Sequence, residues 1–328
     1  MLTLVTGATG LVGNNVVRLL LERGQSVRVL ARETSDPRPL VGLDVEIVRG
    51  DVRDAASVER AVQGVERIVH SAAWVQIGWT GLERARAINV EGTRHVAQAA
   101  RRAGARLVHI SSIDALGITR GPEPDNEETA PNGGVPCPYV VTKREAELAL
   151  LAEVAQGLNA TIVNPAFMLG PWDWKPSSGR MLLHVAKGWA LAAPLGRNNY
   201  CDVRDVAQGV LAAAERGAVG QRYILGGESL SYFQAWRIFA EVTNSRRPIF
   251  PAGPLVRVVA GACGDLWTRL TGREADINSA ATAISAQKRN FSSARAMAEL
   301  DYRPRPIREA AAAAWEWFQE HGYVARRK

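Results

Sequence analysis

The sequence predicts an α/β fold, a doubly wound parallel sheet with a smaller C-terminal lobe. Three observations predict it. Apolar runs of strand length alternate with helix-periodic segments over residues 1–165, a pattern that calls for a parallel sheet with helices on both faces. A glycine-rich turn, Thr6-Gly7-Ala8-Thr9-Gly10-Leu11-Val12-Gly13, joins the first strand to the first helix. Beyond residue 165 the alternation loosens into a loop region marked by Pro165, Pro171, Pro176, Trp172 and Trp174, followed by short elements.

The elements are expected in this order. Residues 2–6 (LTLVT) form a buried strand, and an apolar-periodic helix runs from about Leu11 to Glu22 before the stop signal Arg23-Gly24. Further strands are expected at 26–30, 45–48, 65–70, 106–111 and 160–164. Helices are expected at 54–62, at 82–103 as one long segment ending at Gly104, and at 139–155. The second half should add a strand at 222–225 and an Ala-rich helix at 307–320. The apolar stretch 254–270 contains Arg257, Asp265 and Arg269, too much charge to span a bilayer. It is expected to be an amphipathic helix packed on its own domain, a reading favoured over a membrane-surface or dimer helix.

Composition excludes several classes. With 328 residues, 47% hydrophobic and 22% charged, the chain has ordinary globular usage and enough length for a large core. The formal charge of +7 is spread over short, separate spots such as Arg101-Arg102, Arg246-Arg247 and Arg326-Arg327-Lys328. It reads as solvated surface charge, not as a nucleic-acid footprint. Cys137, Cys201 and Cys263 are scattered, and His70, His95, His109, His184 and His321 show no ligand spacing. No disulfide framework and no metal site are expected, and a reducing cytoplasm is the default. The N-terminus lacks a basic leader and enters a structural motif at once, so no signal peptide is expected.

The turn at 6–13 has a physical logic. Its first glycine permits a tight turn, the second lets backbone approach a pyrophosphate, and the third lets helix and strand pack closely. The helix that follows offers free N–H groups and a positive dipole end to phosphates. Its position inside a βαβ unit is the context that gives such a motif meaning. Gly7, Thr9, Gly10, Leu11, Val12 and Gly13 are the candidate phosphate-binding residues.

Other motifs recur in order: Asp51-Val52, His70-Ser71-Ala72-Ala73, Asn89-Val90-Glu91-Gly92-Thr93, Ser111-Ser112, Tyr139-Val140-Val141-Thr142-Lys143 and Asn164-Pro165. Together with the glycine turn they resemble the extended branch of the short-chain dehydrogenase/reductase superfamily, over nearly the whole chain. The resemblance implies a Rossmann NAD(P)-binding domain at 1–165. It implies a substrate-binding lobe at 166–328, with some segments returning to the first domain. It places Asp51 and Val52 at the adenine, Ala72 and Ala73 near the cofactor ribose and pyrophosphate, and Asn164 and Pro165 beside the cofactor. It further implies a small-molecule substrate and a possible homodimer through the helices at 82–103 and 139–155.

Cofactor choice turns on the end of the second strand, where NAD-selective sites place an acid for the ribose 2′-OH. Here that end reads Leu30-Ala31-Arg32-Glu33. Arg32 is suited to pair with a 2′-phosphate through a charge-assisted fork, which favours NADP(H) over NAD(H). The competing reading leaves Arg32 on the surface and makes Glu33 the ribose ligand, giving NAD.

Tyr139 and Lys143 stand four apart, on one face of a helix. A neighbouring ammonium and a positive nicotinamide would lower the phenol from its usual pKa of about 10, fitting it to exchange a proton with a carbonyl or alcohol oxygen. By resemblance, Ser112 holds the substrate oxygen, with Ser111 as runner-up, and Lys143 also reaches the ribose hydroxyls. Asn89 is given a structural role, and Cys137 none.

The branch contains sugar epimerases, dehydratases and reductases. Dehydratases carry a Thr-Asp-Glu run where this chain has Ser112-Ile113-Asp114, so dehydration is disfavoured. The run looks more like the hydroxysteroid and flavonol reductases. Trp74, Trp79, Phe167, Met168, Trp172, Trp174 and Trp189 follow strand ends, where ligands bind in open α/β sheets, and suit an apolar carbonyl compound. Trp236, Trp267, Trp315 and Trp317 are assigned to the lobe core. Against this, the segments from Asn164 to Met181 and from Arg222 to Glu228 are similar to bacterial hopanoid-associated sugar epimerases or dihydroflavonol-reductase-like proteins. The expectation is therefore an NADP-dependent carbonyl reductase using Ser112, Tyr139 and Lys143. The alternatives are a sugar epimerase with bound cofactor and a non-catalytic cofactor sensor.

Overall fold

Leu4 and Val5 are wholly buried because β1 (Leu2–Thr6) runs through the middle of a seven-stranded sheet. The computed structural model describes residues 1–119, 121–188 and 190–324. The chain continues through α1 (Leu11–Glu22), β2 (Ser26–Ala31), β3 (Glu46–Arg49), α2 (Ala55–Val62), β4 (Arg67–His70), α3 (Leu82–Ala85), α4 (Gly92–Ala103), β5 (Arg106–Ile110), α5 (Pro138–Val154) and β6 (Ala160–Pro165). It then forms β7 (Phe167–Leu169), α6 (Gly179–Ala186), β8 (Ala192–Ala193), β9 (Arg197–Asp202), α7 (Val203–Arg216), β10 (Arg222–Leu225), β11 (Glu228–Ser231) and α8 (Tyr232–Val242). The last elements are β12 (Phe250–Pro251), α9 (Pro254–Thr271), α10 (Ser279–Ser285), α11 (Ala294–Leu300) and α12 (Ile307–Glu320).

The large sheet has the order β10-β6-β5-β4-β1-β2-β3, with every pairing parallel. Strand order reverses at β1, which lies between β2 and β4, and such a switch point opens a crevice at the carboxyl ends of the strands. One face of the sheet is covered by α1 and α7, whose Val16, Leu20, Val206 and Val210 join one buried cluster. Val58 of α2, Val96 of α4 and Leu150 of α5 join another on the opposite face. The strand expected at 222–225 is the sheet's edge, carried back beside β6 by α7.

The expected single helix at 82–103 is interrupted by a wider, π-helical turn over Arg86–Glu91. Such turns mark functional sites in many helices. Here it places Asn89 so that its Nδ2 donates to Thr142 Oγ1 at 3.0 Å and to the Trp74 carbonyl at 3.1 Å, while Trp74 N donates to its Oδ1 at 2.7 Å. Asn89 thereby ties the loop after β4 to α5.

The second lobe packs Leu182, Tyr200, Trp236, Phe239, Trp317 and Phe318 into its own core, beside small sheets of order β11-β9-β7 and β12-β8. The helix expected at 254–270 forms, but its packing differs from expectation. In α9 only Gly261 and Gly264 are buried, and its large apolar side chains face outward. Trp267, assigned to the core from the sequence, is 59% exposed. Among the described residues no helix is long and apolar enough to cross a membrane, and no His, Cys, Asp or Glu cluster has the makings of a metal site.

Candidate active site

The turn after β1 is built by steric need. Gly7 has φ +69°, and a Cβ there would lie 2.6 Å from Ala72 N, so the turn meets the loop after β4 backbone to backbone. Gly10 N donates to the Gly7 carbonyl at 2.9 Å. A Cβ on Gly13 would sit 2.3 Å from that same carbonyl oxygen. No side chain caps the start of α1 at Gly10, which leaves its first N–H groups for an anion. This close-approach turn fits a dinucleotide pyrophosphate.

A cleft of about 1950 Å³ runs from this turn along the strand ends. Of the expected cofactor residues, Gly7, Thr9, Gly10, Leu11, Val12, Arg32, Asp51, Val52, Ala72, Ala73, Lys143 and Pro165 line it. Gly13 and Asn164 lie behind it instead. Gly13 packs α1 against the turn, and Asn164 is fully buried, donating to the Ser112 carbonyl at 2.9 Å and to Glu147 Oε1 at 2.7 Å. Glu33, the competing ribose ligand, is not among the lining residues. Its carboxylate is 77% exposed and lies 4.0 Å from Arg49 Nε.

Ser112, Tyr139 and Lys143 all line this cleft, with Ser112 and Tyr139 hydrogen-bonded to each other. Ser112 follows the end of β5, held by Ser111 N donating to the Val163 carbonyl at 2.8 Å. Pro138 opens α5 at a position where a missing N–H costs nothing, so Tyr139 sits in the first turn and Lys143 one turn on. Lys143 Nζ donates to the Ile110 carbonyl at 3.0 Å. Cys137 is the residue preceding α5 and is buried with Tyr139, Val140 and Ala280.

The electrostatics differ from expectation at Tyr139. Burial pushes its phenol well above the ordinary value, and the Asp114 carboxylate adds to the rise. The Ser112 hydrogen bond and the Arg289 guanidinium oppose it without prevailing. Burial, which disfavours a phenolate, dominates, and Lys143 is not among the groups that lower the phenol. Lys143 itself is pushed down to about 8, by burial, with Glu147 and Asp114 pulling the other way. Behind it, burial and then the Lys143 charge take the His70 imidazole down to about 3. His70 is therefore neutral, sharing hydrogen bonds with Thr6 Oγ1 at 2.7 Å and Thr93 Oγ1 at 3.1 Å.

Sequence reasoning missed Arg289. Its side chain is 4% exposed, lines the cleft, and places Nη2 2.6 Å from Asp114 Oδ1. Asp114 Oδ2 in turn accepts the Ser112 hydroxyl at 3.0 Å. Nothing local in Lys288-Arg289-Asn290 signals a buried cation. Asn198 and Tyr232 of the second lobe also reach the cleft unannounced.

The expected substrate residues divide. Trp74, Ser112, Phe167 and Met168 line the cleft, while Trp79, Trp172 and Trp174 do not. Trp79 Nε1 donates to Ser279 Oγ at 2.7 Å. Trp172 lies under Arg18 of α1 at 3.3 Å, and with Trp174 it packs against Trp317 and His321. An aromatic side chain on a loop serves a core as well as a site, and here the core claims both. Trp189 lies outside the described residues. Trp236 and Trp315, assigned to the core, touch the cleft as well.

The family model described as "NAD dependent epimerase/dehydratase family" matches residues 3–226. The chain belongs to this family. An NAD(P)-dependent oxidoreductase of the epimerase/dehydratase family is what the turn, the sheet order and the Ser-Tyr-Lys wall together describe, and its sheet is the Rossmann type. Sterol demethylase protein B of Methylococcus capsulatus is 38% identical, covering 99% of this chain and 100% of that one. A ketoreductase of Stigmatella aurantiaca, acting on 4-hydroxy-2-methyl-3-oxo-4-farnesyl-3,4-dihydroquinoline-1-oxide by its name, is 32% identical over 69% of this chain and 68% of that one. The crystal structure of gox2253 superposes with a TM-score of 0.85 at 35% identity, covering 99% of both chains.

Proposed function

We propose that this chain reduces a ketone or aldehyde on a fairly apolar substrate at the expense of NADPH. The observation that carries the reading is the convergence of Ser112, Tyr139 and Lys143 on the same cleft as the Gly7–Val12 turn. The turn and the uncapped start of α1 would hold the pyrophosphate, and Arg32 the 2′-phosphate. Bound there, the cofactor would supply hydride for the carbonyl carbon.

The remaining work falls to the chain. Tyr139 gives its proton to the carbonyl oxygen, and burial suits it to that direction by keeping the phenol protonated across the working pH range. Ser112 Oγ, now bonded to Asp114, turns to hold the same oxygen. Lys143 keeps its ammonium on the Ile110 carbonyl, beside the cofactor ribose. Arg32 lines the cleft where Glu33 does not, which supports NADP(H) over NAD(H). Trp74, Phe167, Met168 and Trp236 supply an apolar wall, in keeping with relatives named for a sterol and a farnesyl-bearing ketone.

A second reading is a sugar epimerase that oxidises and re-reduces one carbon. Lys175 and Arg180 on the cleft wall would suit an anionic sugar nucleotide. The test is an NADPH-oxidation screen over aromatic and alicyclic ketones and aldehydes, beside NADH and nucleotide sugars. Stoichiometric NADPH consumption is expected. An epimerised sugar with no net consumption would replace the first reading with the second.

A further inference from the structure

We propose that the outer face of α9 is a docking surface for an anionic lipid bilayer. The helix is amphipathic in the inverted sense. Against the protein it places small or polar residues, Ala260, Gly261, Gly264, Asp265 and Thr268, at helical spacing. A Cβ at Gly264 would overlap the Ile277 carbonyl at 1.7 Å, so glycine there is what lets α9 lie directly on the segment leading to α10. Toward solvent it places Leu255, Val258, Val259, Leu266, Trp267 and Leu270, each between 53% and 76% exposed. Surface helices of water-soluble domains bury the large apolar side chains and show the polar ones. A contiguous exposed row of this kind marks an interaction surface.

Charge complementarity selects the occupant. Residues 244–273 carry Arg246, Arg247, Arg257, Arg269 and Arg273 against one acid, Asp265. Asp265 is turned inward, its Oδ1 accepting Ser279 N at 3.0 Å. The acids that follow are also engaged, Glu274 by Thr80 and Asp276 by Arg180. Arg247 reaches Glu241 at 3.3 Å, and Arg269 and Arg273 stand exposed at the C-terminal end of the helix. Leucine, valine and tryptophan beside arginine form the composition of a helix that lies in a bilayer interface. A second copy of the chain fits less well, because an isologous contact sets the same patch on itself and brings like charges together.

The patch adjoins the cleft, since Val256, Arg257 and Ala260 of α9 line it. If the proposed reduction is right, an apolar substrate enters from the lipid side. Bilayer binding itself does not depend on that reading.

The test is co-sedimentation of the full chain with vesicles of phosphatidylcholine alone and of phosphatidylcholine mixed with phosphatidylglycerol. The expected result is binding to the mixed vesicles that weakens with salt, and an about tenfold or greater loss in the variant Leu255→Ser/Leu266→Ser/Leu270→Ser. Those positions are exposed, so circular dichroism and melting temperature should match the parent. The Trp267 emission, taken as the difference between the parent and Trp267→Phe, should shift to the blue with mixed vesicles. No sedimentation with either vesicle, equal sedimentation of the triple variant, or a vesicle-indifferent dimer that the triple variant dissolves would each overturn the proposal.

Discussion

Arg289 Nη2 lies 2.6 Å from Asp114 Oδ1, joining the last third of the chain to the residue two past Ser112. Both side chains are largely buried, at 4% and 15% exposure. Removing one member of such a pair strands the other charge, at a cost of about 3–5 kcal/mol. Arg289→Met should lower unfolding free energy by that order. Adding Asp114→Asn should recover most of the loss, since no uncompensated carboxylate then remains. Urea unfolding of the parent, both single variants and the double variant checks this.

Lys143 should set the basic limb of activity. Its pKa is lowered to about 8, so the ammonium is lost as pH rises through that value and turnover should fall above it. The Glu147 carboxylate supports the charged form, and Glu147→Gln should move the limb to lower pH. The stability sign is the reverse of a favourable ion pair. The folded pKa lies below the ordinary lysine value of 10.5, so the charged lysine burdens the fold progressively as pH drops from about 10.5 to about 8. Rate profiles and melting temperatures across this window check both statements.

Arg32→Ala should erase the proposed preference for NADPH. One charge-assisted fork to a phosphate is worth about 1.5–3 kcal/mol, so the ratio of NADPH to NADH efficiency should fall roughly 10- to 150-fold. NADH efficiency itself should change little. An undiminished ratio would remove the argument for NADP.

Gly13→Ala should separate packing from contact. Gly13 does not line the cleft, yet a Cβ would lie 2.3 Å from the Gly7 carbonyl oxygen. The turn must shift, costing about 1–3 kcal/mol and weakening cofactor binding. A melting curve and an NADPH titration on the same variant should both move.

Legibility in the sequence followed the range of the forces involved. The Gly7, Gly10 and Gly13 turn and the Tyr139/Lys143 pair depend on neighbours a few residues away, so spacing alone marks them as candidates. Arg289 depends on Asp114, far off in the chain, and left no local mark. The loop of Trp172 and Trp174 follows a strand end and so points them to the cleft, but Arg18, Trp317 and His321 hold them elsewhere. Periodicity found α9 without saying which face turns inward. Gly261 and Gly264, one turn apart, were the available sign that the small face does. The sequence points to a depressed Tyr139 phenol because its partner Lys143 is legible there and its burial is not.

NADPH oxidation by Tyr139→Phe, measured beside its NADPH affinity and with a substrate from the carbonyl screen, tests Tyr139 as proton donor most directly. NADPH should bind within about twofold of the parent, because the phenol makes no claim on the phosphate turn. The rate should fall by about 10²–10⁴. Oxidation at the parent rate, with binding intact, would contradict the assignment of Tyr139 and with it the proposed reduction.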